Sequence, residues 1–232
     1  MSGSANGHGE GGEGGEHPPE GESAPDEALE PPPGEVGELA EACVVFVERE
    51  TKIRLDYSPE TLPLVDHWLQ QRRRDVGVSK DAVLALVAAP AGAYLGEVAR
   101  RQHRLRWFAP PGDYRRWRLE LENVFLSLNP VGAAVEALLL SEAEGWGAEF
   151  RMRRQDEPTV RAVLDELGEL DVEEYYAPSN RLEVLEIVVD TLLRRQVATD
   201  EPLPSYGPED YGTLRAESIA GALAGHSPDG DN

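Results

Sequence analysis

Trp117-Arg118-Leu119-Glu120-Leu121 sets apolar side chains at every second position, with charged ones between. That is the period of a half-buried strand, and it decides the fold class because similar stretches lie on both sides. Leu105-Arg106-Trp107-Phe108 precedes it, separated by a Pro110-Pro111-Gly112-Asp113 turn. Residues 124–128 follow as a third strand. Further on, Phe150 and Met152 alternate with Glu149, Arg151 and Arg153, which predicts a fourth.

Helical periods surround these strands. Asn129-Pro130 has the form of a cap followed by proline in the first turn. Val131, Ala134, Val135, Leu138 and Leu139 then recur at the spacing of an amphipathic helix. Gly145-Trp146-Gly147 breaks it. Asp156 is expected to cap a helix with Val160, Val163, Leu164 and Leu167 inward, closed by Gly168. Another opens at Pro178-Ser179-Asn180, with Leu182, Leu185, Val189, Leu192 and Leu193 inward and a near-capping-box pair, Asn180 and Glu183.

Upstream, Ser58-Pro59 starts a helix carrying Leu62, Val65 and Leu69, with Arg72, Arg73 and Arg74 in its last turn and Gly77 as its stop. Ser79 caps the next one, which Pro90 is expected to kink or split. Gly92 and Gly96, four apart, predict the close approach of another element. Residues 38–49 suit a strand or a short helix, and the Cys43-Val44-Val45-Phe46-Val47 centre favours the strand. The expected fold is α+β, with about five helices on one face of a small antiparallel sheet.

Composition bounds the domain. Residues 1–37 hold ten Gly, six Pro and nine carboxylates with no Lys or Arg. Such a segment cannot bury enough apolar surface to offset its ordering entropy. Residues 199–232, with seven acids and one base, are alike. The expectation is a single α+β domain at 38–198 between two disordered acidic tails. Of the net charge of −22, the tails supply −9 and −6. This sign repels nucleic acid and anionic membranes at long range and suits either solubility, the favoured reading for the tails, or a basic protein partner.

The single cysteine, Cys43, excludes an intrachain disulfide, and a small buried role is expected for it. The longest apolar run, Ala82 to Leu95, falls short of the roughly 20 residues of a membrane span. No basic, apolar leader opens the sequence. These features lead to an expected cytoplasmic location, and the Arg-rich, Lys-poor composition to a bacterial source.

Motifs for chemistry are sparse. Gly7-x-Gly9-x-x-Gly12 matches a dinucleotide fingerprint but stands in the Gly-rich tail, without a strand before it. One cysteine and scattered histidines leave no zinc set, and neither cofactor nor metal is expected. Tyr94, Glu97 and His103 form one candidate pocket with acid/base groups, since a carboxylate on a buried helix must find a partner. Arg100, Arg101, Arg104, Arg106, Arg115, Arg116 and Arg118 interleave with Trp107, Tyr114 and Trp117. That pattern serves anion or single-strand binding, a protein contact, or a docking surface for the acidic tails.

Gly92-Ala93-Tyr94-Leu95-Gly96-Glu97-Val98, followed by Arg100-Arg101, Trp107 and Trp117, resembles a pattern in uncharacterised bacterial domains. In these a Gly-Ala-Tyr-Leu-Gly-Glu-Val helix precedes a hairpin with a Trp on each strand. Leu55-Asp56-Tyr57-Ser58-Pro59-Glu60-Thr61-Leu62 fits the same type, so the resemblance covers roughly residues 55–140. This chain departs from it at Gln102-His103-Arg104. The resemblance implies an immunity or accessory protein. The expected function is therefore a non-enzymatic interaction factor of immunity, adaptor or regulatory kind. An enzyme or small-molecule binder at Tyr94, Glu97 and His103, and a nucleic-acid binder through the arginines, are the alternatives.

Overall fold

In the computed structural model of the chain, residues 29–75, 81–198, 204–213 and 217–218 are described, the side chains of 74–75, 81–85, 213 and 217–218 excepted. The fold is α+β. Residues 1–28, 199–203, 214–216 and 219–232 of the expected tails, the glycine fingerprint at 7–12, the Gly77 stop and the Ser79 cap lie outside the described residues.

The chain enters through α1 (Gly34–Thr51), where a strand was favoured. Val36, Ala40, Cys43, Val44 and Val47 fall on one helical stripe and are all buried. Their spacing, not the β-propensity of the valines, sets the local structure, because only a helix turns all five to the core. The domain thus begins inside the segment assigned to the tail. Burial pushes the Cys43 thiol up from its ordinary value, which suits an inert core residue.

A single 3₁₀ turn at Pro59–Thr61 leads into α2 (Leu62–Asp75). Then α3 (Asp81–Gln102) runs unbroken through Pro90, which was expected to split it. The carbonyl that loses its donor is that of Leu86, an exposed residue with access to water. Against α3 pack α1 on one side and α4 (Pro130–Leu139) on another. Asn129 caps α4 as expected, its Oδ1 accepting from Val131 N–H at 2.9 Å and Gly132 N–H at 3.2 Å. Gly92 is what lets α3 and α4 meet. A Cβ there would stand 2.4 Å from Val131 Cα. At Gly96 it would strike the Trp107 ring.

The sheet is an antiparallel meander in sequence order: β1 (Leu105–Phe108), β2 (Arg118–Leu121), β3 (Leu126–Leu128), β4 (Arg151–Met152) and β5 (Glu217–Ser218). Trp107 pairs with Leu119, Leu119 with Leu128, and Leu126 with Met152. These residues share one face, and Trp107 meets α3 at Gly96. The opposite face carries Arg106, Glu120, Ser127 and Arg151 in register. Trp107 and Trp117 are both core and pack edge to face at 5.9 Å.

Three more helices follow: α5 (Glu157–Leu164), α6 (Val172–Tyr175) and α7 (Pro178–Ala198). Asp156 does not cap α5 with its side chain; it pairs with Arg195 of α7 at 2.9 Å. Of the apolar residues expected inward on α5, Val160 is buried while Leu167, beyond the helix end, is 48% exposed.

Finally, α8 (Pro208–Thr213) lies within the segment assigned to the second tail. Tyr206 N–H donates to Glu122 O at 2.8 Å. The Tyr211 ring stacks on Phe125 at 4.6 Å, and its hydroxyl accepts from Leu126 N–H. Two aromatic side chains thus supply the apolar area that composition averaging over the tail concealed.

Candidate functional site

Tyr94, Glu97 and His103 all come from α3 or its end, but they make no hydrogen bonds to one another. Tyr94 faces the 3₁₀ turn. Its hydroxyl accepts from Tyr57 N–H at 2.9 Å and shares a 2.6 Å hydrogen bond with Thr61. Tyr57 holds this geometry at φ 64°, a left-handed conformation that is rare for a large side chain. Its ring stacks on Tyr94 at 4.9 Å and lies under the Arg101 guanidinium.

Glu97 is 1% exposed. Oε1 accepts from Arg100 Nε and from Trp107 Nε1, both at 2.8 Å. Oε2 accepts from Arg100 Nη2 at 2.9 Å and Arg101 Nη1 at 3.0 Å. Burial alone would raise this carboxyl, but the hydrogen bonds from Arg100 and Trp107 and the charges of the two arginines hold it below the usual carboxylate range. Both oxygens are engaged in the domain's own interior, leaving no open lone pair for general-base work. His103 stands apart. Its Nε2 is buried without a hydrogen-bond partner among the described residues, and burial lowers its affinity for a proton while the Glu186 charge opposes this.

The seven arginines do not form one free basic face. Arg100 is 6% exposed and held on Glu97. Arg106 and Arg118 both turn to the buried Glu120, at 3.2 and 2.7 Å. Arg115 lies over the Trp146 ring, and Arg116 is 4.0 Å from Asp113. Arg101 is taken up by Glu97 and Tyr57, while Arg104 is exposed. The aromatics that alternate with them are core residues, so the interleaving seen in the sequence records a strand whose two faces differ.

An open groove of about 550 Å³ lies elsewhere, between α2, α6 and the start of α7. Asp66 and Arg73 of α2 face Glu173 of α6 and Ser179 of α7 across it. Asp66 accepts from Ser179 N–H at 3.2 Å and from the Ser179 hydroxyl. The first turn of α7 is thus capped by a side chain of another helix, where a local pair, Asn180 and Glu183, was expected. Desolvation pushes Asp66 up to about 6, helped by the like charge of Glu183 and opposed by the Ser179 hydrogen bonds. Arg73 donates to Glu173 at 3.1 Å and to Ala137 O at 2.9 Å, and Gln70 donates to Glu173 at 2.6 Å. The Ser179 hydroxyl donates to the Asp66 carboxylate, and His67 reaches Gln71 at 3.4 Å. Leu170, which lines the groove, is 46% exposed. Sequence reading passed over this site because its partners are about a hundred residues apart and their pairings leave no local spacing.

A pH experiment reads Asp66 directly. Its folded value of about 6 lies above the ordinary 3.8, so the folded chain binds this proton more tightly than the unfolded chain. The stability it contributes is complete below about pH 4 and falls as pH rises through 6. Asp66→Asn, which keeps an acceptor for Ser179, removes that decline. In urea titrations the variant is expected to outlast the parent chain at pH 7.5 and to match it at pH 4.5. A variant weaker than the parent chain at pH 7.5 would make the ionised carboxylate the required cap.

No helix among the described residues is long and apolar enough to cross a membrane. No protein-family model matches the chain, and no curated protein or solved structure matches it either.

Proposed function

We propose that this chain is a non-enzymatic protein-interaction factor, of the immunity, adaptor or regulatory kind, that acts in the bacterial cytoplasm through the groove between α2, α6 and α7. The observation that carries the reading is the open groove of about 550 Å³, whose lining includes Leu170, an apolar side chain 46% exposed. Exposed apolar surface in an open cleft marks a contact site. Supporting it, Glu97 has both oxygens bonded inside the domain, and Arg100, Arg106 and Arg118 are directed to the domain's own carboxylates. The resemblance to accessory bacterial domains points the same way.

The test is affinity capture with the full chain from its native cytoplasm, at low and moderate salt, followed by reconstitution from the purified pair. One stoichiometric protein partner, bound again after purification, is the expected result. No partner in either salt overturns the reading.

A further inference from the structure

The groove has more to say about what enters it. Four carboxylates line it: Asp66, Glu173, Glu174 and Glu183. Against them stands one guanidinium, Arg73, already directed to Glu173 and the Ala137 carbonyl. Glu174 and Glu183 are exposed and have no ion-pair partner among the described residues. Glu183 and Asp66 repel one another across α7's first turn, so a cation between them relieves a repulsion already present. Beside this charge lie apolar Pro63, Leu69 and Leu170, the last of them 46% exposed. A metal ion has no use for that surface, and among the described residues no group of carboxylates or histidines is placed to hold one.

We infer that the groove takes a short segment of a partner protein whose Lys or Arg side chain reaches the Asp66–Glu183 side while a flanking aliphatic residue covers Leu170. The inference rests on the interaction reading above and adds the surface and the chemistry of the partner. A protein segment, rather than a free amine, fits the apolar lining: a diffusing polyamine brings the charge but leaves Leu170 in water. A pocket of this size holds a few side chains, which is the scale of peptide recognition.

The experiment selects from a displayed library of random peptides about twelve residues long against the immobilised full chain, with spermidine as a competing probe. Enriched peptides are expected to carry a Lys or Arg beside Leu, Ile, Val or Met. Their affinity is expected to fall at least about tenfold in Glu174→Lys/Glu183→Lys and in Leu170→Ser. All three positions are exposed, so these variants retain the fold, as circular dichroism checks. Enrichment of peptides without a cation, equal binding to the groove variants, failure to enrich any peptide, or spermidine binding as tightly as the best peptide each overturns the proposal. The interaction reading is judged separately. If the captured native partner is held equally by the parent chain and the groove variants, that reading stands and the groove assignment falls.

Discussion

Glu97→Gln lowers the stability of the domain by about 3–5 kcal/mol, the size expected when one member of a buried, hydrogen-bonded ion pair is removed and the other remains. Arg100, 6% exposed, is the charge left behind. Glutamine keeps an acceptor for Trp107 Nε1 but cannot offset the guanidinium. In a chain of this size the thermal midpoint is expected to drop by roughly 10 °C. Pairing the change with Arg100→Met should recover part of the loss, because two neutral side chains leave no bare charge. A Glu97→Gln variant as stable as the parent, or more stable, would instead mark a carboxylate held at a cost for chemistry, and would revive the pocket once drawn around Tyr94, Glu97 and His103. The sign of one urea titration therefore separates two functional classes. Acid should act in the same direction. A carboxyl held below its ordinary value stabilises the fold above the unfolded-chain value, and that contribution is lost as pH falls through the folded one.

Gly92→Ala is expected to cost about 3 kcal/mol by a different route. The added methyl carbon meets Val131 Cα at 2.4 Å, Val131 N at 2.6 Å and Pro130 O at 2.7 Å, all backbone atoms. Side chains can rotate away from such a clash; the start of α4 can yield only by moving the helix. Gly34→Ala, where nothing lies within 4 Å, is the control and should change stability by no more than about 0.5 kcal/mol. Equal midpoints for the two variants would show that α3 and α4 slide freely.

How much of this was legible depends on the range of the interaction. Asn129-Pro130, the alternation around Leu119, and the glycine pair at 92 and 96 each act within a few residues or need only a smooth surface, and each leads to the element or contact found. Residues 38–49 misled because β-branched residues carry a propensity weaker than the pull of a shared stripe: Cys43, Val44 and Val47 become a helix face only once Val36 and Ala40, further upstream, are counted. Pro90 misled because its penalty was set by a chain in isolation, while the flanking residues 88–99 are buried together as one rod. The arginine stretch was read as a surface because sequence shows which side chains are charged but not where each is pointed. Glu120, buried between Arg106 and Arg118, decides that, and it looked like any exposed strand residue. The groove depended on pairings such as Asp66 with Ser179, which no window on the sequence spans.

The docking of Tyr206 and Tyr211 has a consequence for the order of events on the ribosome. Both residues are translated after the first four strands and the seven helices that precede them. Until they emerge, the nascent chain shows Phe125 uncovered and leaves Leu126 N–H without its tyrosine acceptor. A half-made molecule of this protein therefore displays an adhesive spot that the finished one has sealed, and chaperones that hold growing chains have a defined place and a defined interval in which to act.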